Sequence, residues 1–356
     1  IWGWIAVHCL LITGTAHADW NAVPCFAGEK GAHGPSMDDG ACWYWDASLL
    51  YLKTGGDELD YGVVRYEYDS GVASSSFKQR YHDIKMDWDF GFRLGAGCPL
   101  PCLDWGLDLS WTHYENASNS DSHDNADSAA AVTTYAIPYI SGSELDILSS
   151  QSGTGYFHGH YKVRYDTVDL ECGRWFGRTN CAFGFRPHAG LRFANIHENL
   201  KSKVWTSLTT NPYYKSSVKN DFIGCGLRAG FDVSLAVYDG ISLIGKAAGA
   251  IVWGRTKIDL HADQIYTSTS STESKEKYLQ GRVMTDFVLG VNWSTMVCSW
   301  PIDFELDWEM HYLFGQHRFF TNNALADFGA NYPTLQTKKN GDLTLQGISL
   351  KIAMDF

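Results

Sequence analysis

The chain has 356 residues, enough for one large β domain or two modest ones. Its formal net charge of -12 denies it the basic footprint of a general nucleic-acid binder. Hydrophobic residues at 45%, aromatics at 14% and 35 glycines accompany a mean hydropathy of -0.22; that mixture is odd for a soluble enzyme but expected of strict apolar–polar alternation.

The first residues, "IWGWIAVHCLLITGTAHADW", form a short apolar run ending in Ala16-His17-Ala18. This is a secretory apolar core with a small-x-small cleavage site, which predicts a signal peptide over 1–18 and a mature chain from Asp19. Residues 19–42 are then a periplasmic N-terminal segment and 43–356 the β domain. After residue 18 no stretch approaches the roughly 18 apolar residues of a spanning helix.

Period-two segments follow one another along the chain. Trp43, Trp45, Ala47, Leu49 and Tyr51 alternate with Tyr44, Asp46 and Ser48. Ile84, Met86, Trp88, Phe90, Phe92, Leu94 and Ala96 alternate with Lys85, Asp87, Asp89, Gly91, Arg93 and Gly95. Trp105 to Trp111 comes next, then 161–173 with one phase slip near Thr167 that reads as a bulge. Phe183 to Phe193 alternates with Arg186, His188 and Arg192; Ile223 to Leu235 alternates with Arg228 and Asp232. Residues 241–255 are small and apolar with weak phase. Val283 to Trp293 alternates with Arg282, Asp286 and Asn292. "IDFELDWEMH" places Asp303, Glu305, Asp307, Glu309 and His311 opposite Ile302, Phe304, Leu306, Trp308 and Met310. Ile348 to Phe356 closes the chain around Lys351.

These are ten strands, and no segment sustains a helical period. Short connections fall near 97–103, 176–182, 236–240 and 295–301. Long polar ones fall near 54–83, 115–158, 195–220, 258–279 and 313–340. Short turns on one side and long loops on the other predict an all-β, transmembrane, antiparallel up-and-down barrel, with periplasmic turns and extracellular loops. "YGVVRYEYD" at 61–69 and "VTTYAIPYI" at 132–140 are candidates for further strands, which would take the barrel to twelve or more. A soluble barrel or sandwich is the competing architecture. Three features favour the membrane: the amphipathic strand ending in Phe356, aromatics at strand ends, and glycines on the charged face. The aromatic girdles are assigned to Trp43, Trp45, Trp105, Trp175 and Trp300 on the short-turn side, and to Tyr114, Trp253 and Tyr312 on the other.

The charged face is then a lumen. Its expected lining is Lys85, Asp87, Asp89, Arg93, Arg186, Arg192, Arg228, Asp232, Arg282, Asp286, Asp303, Glu305, Asp307, Glu309 and Lys351. Isolated charges in a low-dielectric wall are costly, so these should pair across strands, the acid row 303–309 with Arg282 and Lys351. Acids outnumber bases, which favours cations in any pore. An enzyme is the weaker reading. His113, His158, His160, His188 and His311 form no triad, His158-Gly-His160 is a weak metal signal, and Asp121, Asp124 and Asp127 lack the EF-hand spacing. No metal, cofactor or catalytic residue is expected.

Eight cysteines follow the signal segment. Cys25, Cys42, Cys98, Cys102, Cys172, Cys181 and Cys298 gather at the periplasmic end and are disulfide candidates in an oxidising compartment; their pairing is open. Cys225 falls mid-strand and reads as a small buried hydrophobe.

The stretches "WDASLLYLKTGGDELDYGV" (45–63), "FGFRLGAG" (90–97), "DWGLDLSWTHYENA" (104–117), "YKVRYDTVDLECGRWFG" (161–177) and "FGFRPHAGLRFA" (183–194) resemble the major outer membrane proteins of Legionella and the MOMP-like porins of environmental chlamydiae. The resemblance implies an abundant, pore-forming barrel of the bacterial outer membrane, cross-linked by disulfides and exposed at the surface. It implies passive passage of small hydrophilic solutes. Expected partners are outer-membrane lipid, cysteine-bearing envelope proteins or further copies of the chain, and the host-cell surface; nucleic acid is not among them. A non-conducting surface adhesin or structural barrel is the alternative, and an outer-membrane hydrolase a more distant one.

Overall fold

A computed structural model describes residues 43–355 apart from 58, 70–74, 101–104, 128–129, 131, 137–147, 151–153, 178–181, 207–213, 239, 266–268, 298–299 and 323–335. The expected signal peptide and the 19–42 segment lie outside the described residues. Ten antiparallel strands close a barrel: β1 (Tyr44–Gly56), β4 (Trp88–Leu100), β5 (Trp105–Asn125), β8 (Thr154–Gly173), β9 (Phe183–Thr206), β10 (Tyr214–Tyr238), β11 (Ile241–Ile265), β12 (Thr269–Val297), β13 (Trp300–Asn322) and β14 (Gln336–Asp355). Neighbours in the chain are neighbours in the wall, and β1 closes on β14, with Leu49 opposite Leu350. The short turns sit where the sequence places them. Gly240, at φ 72°, takes the left-handed backbone conformation immediately before β11 begins at Ile241.

The two candidate extra strands exist but stay out of the wall. β2 (Asp60–Asp69) and β3 (Ser75–Asp83) form a hairpin, and with β6 (Val132–Ala136) and β7 (Leu148–Ser150) they make a separate sheet in the order β3-β2-β6-β7. This sheet covers the inner face of upper β8: Tyr61 sits against Gly159, and Tyr135 against Gly155. An added Cβ at either glycine would collide with the ring, so the sheet fits there because two inward positions of β8 lack side chains.

The barrel strands are far longer than the sequence suggests. β9 to β12 run 24, 25, 25 and 29 residues, where about 9–11 suffice to span a bilayer. Most of the expected long loops are strand. The reason is an inversion of the alternation. On lower β9 the outward residues are Phe183, Ala189, Leu191 and Phe193, and the inward ones Arg186, His188 and Arg192. Above Phe193 the outward residues become Asn195, His197, Asn199 and Lys201, and the inward ones Ala194, Ile196, Leu200 and Val204. β10 changes at Phe222/Ile223, β11 between Trp253 and Arg255, and β1 between Tyr51 and Lys53. Lipid outside and charge inside give way to water outside and an apolar core inside.

The expected bulge near Thr167 is this same change. β8 pairs without slip on both sides, Thr167 facing Thr112 and Ala194. Its apolar residues move from outward Val168 and Leu170 to inward Tyr165, Val163 and Tyr161, which mimics a phase slip in sequence. A true irregularity lies in β13, where the register shifts between Leu313 and His317 around Gly315 at φ 60°. Tyr114, assigned to the aromatic girdle, is inside and buried, its hydroxyl donating to Leu52 O at 3.0 Å. Cys225 points outward on the apolar band and is exposed there, so it is a lipid-facing residue rather than a buried one.

Candidate functional site in the barrel lumen

The membrane-spanning half of the barrel encloses one connected set of ion pairs. Asp286 on β12 is its hub. Its Oδ2 lies 2.8 Å from Arg192 Nη2 and also takes Arg228, while its Oδ1 is 2.7 Å from His311 Nδ1. Arg192 grips Asp169 through Nε and Nη2, each at 2.6 Å. Arg228 reaches on to Glu171, which lies 3.1 Å from His188. His188 and Arg186 share Asp232 at 3.5 and 3.0 Å, and Arg186 also pairs with Asp108. On the opposite side His311 is 3.6 Å from Glu309, whose Oε2 accepts from Arg93 Nη2 at 2.9 Å. The set ties β4, β5, β8, β9, β10, β12 and β13 together. A second group nearer the periplasm holds Glu305 between Lys246 and Lys351, the latter at 3.5 Å.

Strand parity puts these groups here, and glycine gives them space. A Cβ on Gly95 would strike the Asp46 carboxylate, and one on Gly290 the Asp307 carboxylate. Charges brought out of water repay desolvation only when each meets its partner with good geometry. The network therefore favours a single registry of the wall, since slipping one strand would orphan several buried ions.

Of the expected lining, Arg93, Arg186, Arg192, Arg228, Asp232, Asp286, Glu305, Glu309 and Lys351 join these networks. Asp89, Asp303 and Asp307 have inward parity; Asp303 accepts from Ser294 and from Asn292 Nδ2, the latter at 3.4 Å. Arg282 is inward but is not a partner of the acid row. It sits higher, over the Phe222 ring at 4.7 Å, and donates to Gly315 O and to Thr256 Oγ1. Lys85 and Asp87 are not in the lumen. Residues 84–87 precede β4, both side chains are exposed, and their amides donate to Ser120 Oγ at 2.9 Å and Ser118 Oγ at 3.1 Å. Ile84 and Met86 share parity with the lipid-facing Trp88 but are buried in the core beneath the small sheet, so the period runs unbroken through a change of structure. Lys246 escaped sequence reading because small residues on both faces of 241–255 blur the phase. Its charge in that run was the available signal.

Directly above the network lies an apolar layer. Leu50, Tyr114, Tyr165, Ile196, Phe222, Val252, Met284, Leu313 and Leu345 come from nine of the ten strands and belong to one buried cluster. Within the upper core Glu198 is fully buried. It accepts from Tyr161 Oη at 2.7 Å, Asn220 Nδ2 at 2.8 Å and Gln316 Nε2 at 2.9 Å, and lies 2.5 Å from His317 Nδ1. Burial alone would push this carboxyl up; His317, Tyr161 and Gln316 override it and hold it below its ordinary value.

The histidine candidates do not converge. His113 faces outward, 2.6 Å from Asp166 Oδ1, while His311 is inside the wall. His158 and His160 each turn to their β5 neighbours, Asp121 at 2.7 Å and Asn119 at 2.8 Å. Among the described residues no group of three or more His, Cys, Asp or Glu is placed to hold a metal. Asp124 instead ties the small sheet to β5, with Arg80 Nη1 and His82 Nε2 each at 2.5 Å. A cavity of about 360 Å³ opens beside it, bounded also by Tyr66, Tyr68 and Asp127.

Residues 39–356 match the family profile of the Legionella pneumophila major outer membrane protein precursor. The chain belongs to this family. As a Legionella-type major outer membrane protein it resides in the bacterial outer membrane, and its lower band of exposed aromatic and aliphatic side chains meets lipid. No curated protein sequence matches it significantly. Among solved structures it is similar to the Escherichia coli outer membrane protease OmpT, at 10% identity and a TM-score of 0.41, over 88% of this chain and 97% of that one. A major outer membrane protein from Thermus thermophilus matches at 10% identity and a TM-score of 0.29, over 89% and 100%. A Pseudomonas aeruginosa FadL homologue matches at 8% and 0.23, over 88% and 90%. Such distant likeness says nothing of what this major outer membrane protein binds or acts on.

Of its cysteines, Cys25, Cys42, Cys102, Cys181 and Cys298 lie outside the described residues. Cys98 and Cys172 face outward at the periplasmic rim on either side of Leu107. Two strand spacings, about 9.5 Å, separate them, beyond the reach of one disulfide.

Proposed function

We propose that this protein is a structural barrel of the outer membrane whose lumen is closed to solute. The observation that carries this reading is the apolar layer of nine side chains stacked on the charged network. In a ten-stranded wall, which is little wider than one that side chains fill, such a layer removes the aqueous path. The protein is not an enzyme on this reading, since its histidines and acids serve as pairing partners in the wall. Cys98, facing outward at the periplasmic rim, supports a role in envelope cross-linking.

A second reading, a narrow pore for small hydrophilic solutes, draws support from the polar lining along the membrane half. It requires the apolar layer to move aside. Planar-bilayer recordings of the refolded protein separate the two. The closed barrel gives no unitary current steps; regular, cation-preferring steps from wild type would overturn it in favour of the pore. Non-reducing gels of native envelopes test the cross-linking role: thiol-sensitive high-mass species are expected, and monomer alone under both conditions contradicts it.

A further inference from the structure

The outer surface just above the lipid-facing band is not neutral. Although the chain carries a net charge of -12, the outward positions of upper β8 to β12 hold ten Lys and Arg against five Asp and Glu. Four of these cations are matched: Arg164 with Asp166, Lys162 with Glu115, Lys257 with Asp259 and Lys275 with Glu273. Lys201, Lys203, Lys215, Lys219, Arg255 and Lys277 make no ion pair with any described residue. Two pairings are repulsive by construction. Lys203 stands directly opposite Lys215, and Lys257 directly opposite Lys277. Like charges opposite each other weaken a sheet. Asp263, Asp259 and Asp221 stand opposite Lys215, Lys219 and Lys257 across β10 and β11, yet five acids against ten cations leave this face with a positive excess that an external anion can neutralise.

Their height identifies that anion. Arg255 lies two residues beyond the last apolar outward residue, Trp253; Lys219 lies four beyond Ile223, and Lys201 eight beyond Phe193. With about 3.3 Å per residue and a tilt near 40°, they climb from roughly 5 to 20 Å above the apolar band. That is headgroup depth on the long-connection, outer side of the membrane. Long lysine stems lie along the wall while their ammonium groups reach polar matter.

We propose that the outward face of β8 to β12 binds the phosphorylated saccharide headgroup of an outer-leaflet glycolipid. The lower cations meet phosphates next to the acyl chains, and the Lys201–Lys203–Lys215 group meets anionic groups further out on the sugar. His160 supplies a local reporter. It faces Lys201, and burial, then Lys201, His158, Lys162 and Lys203, keep its imidazole below its ordinary value. A bound anion screens those lysines and raises it.

The test uses the full-length protein refolded in detergent micelles. The probes are purified lipopolysaccharide, the same material after phosphatase treatment, inorganic phosphate, and a soluble sulfated oligosaccharide. Wild type is expected to bind lipopolysaccharide in a salt-sensitive manner, to melt at higher temperature with it, and to show an upward-shifted His160 titration. The K201Q/K203Q/K215Q/K219Q variant should bind at least about tenfold more weakly. Lys53→Gln, outside the patch, should bind as wild type and retain the barrel's heat-modifiable migration. Equal affinity of wild type and the fourfold variant overturns the proposal. So does undiminished binding of phosphatase-treated lipopolysaccharide. Equal competition by inorganic phosphate would assign the patch to a free anion, and preference for the sulfated oligosaccharide would assign it to a soluble polysaccharide; either result also defeats the glycolipid site.

Discussion

The lower and upper halves of this barrel are built from the same strands with opposite chemistry. In the lower half Leu227 and Trp253 face out and Arg228 and Asp286 face in. In the upper half Lys219 and Lys201 face out and Phe222, Ile196 and Leu200 face in. The backbone alternation does not change; the solvent outside does. One hydrogen-bonded wall thus serves as a membrane barrel below and a soluble-type barrel above. In the lower half, buried ions specify registry and lipid covers the apolar face. In the upper half, side-chain packing does both.

That comparison sets an order of mutational effects. The largest belongs to the hub of the lower half. Asp286→Ala leaves Arg192, Arg228 and His311 without their shared partner, and should cost about 4 kcal/mol in urea unfolding of the micelle-bound barrel. Next come two apolar truncations on one strand. Phe222→Ala opens a cavity and loses the Arg282 contact, for about 3 kcal/mol. Leu227→Ala should cost about 1.5 kcal/mol, because lipid chains refill the gap. Equal costs would erase the distinction between packed core and lipid face.

Glu198→Gln comes third, at about 2 kcal/mol near neutral pH. Here the sign is fixed by a folded-state value held below the unfolded one. The carboxylate's contribution is complete above the ordinary value of about 4.3 and is lost as pH falls through the lower folded value. Both proteins lose stability as their other paired carboxylates protonate, but wild type should lose more across that acid window, so the two curves converge. Persistence of the full difference at the acid end would show that the charge is not what matters. The smallest effect is expected at Lys219→Ser, within about 0.5 kcal/mol, since this exposed lysine makes no ion pair with any described residue.

The lower half was legible in the sequence because its outward faces are continuous: every strand there could be placed, and most of the charged lining with it. The upper half was not. Its outward residues are polar, and polar segments with weak phase resemble loops; on β9 only inward Ile196, Leu200 and Val204, spaced by four, betrayed the strand. The Glu198 cluster was invisible for the same reason, since Asn220, Gln316 and His317 sit in stretches read as connections. Lys85 and Asp87 misled because period two continued through 84–87 while the structure beneath it changed from the small sheet's core to lipid. The partners of individual acids were beyond sequence, since Asp286 with Arg192 and Glu309 with Arg93 are set by barrel closure rather than by spacing along the chain.

The central claim is that β9 crosses the membrane boundary without a change of register while its environment inverts. Nitroxide scanning of single cysteines from Ala189 to Lys203, in a background lacking native cysteines, reads this directly. The structure predicts that odd positions through Phe193 are accessible to oxygen in lipid, that odd positions from Asn195 are accessible to a water-soluble relaxant, and that even positions stay protected throughout. A switch of accessibility from odd to even positions near residue 194 would contradict it.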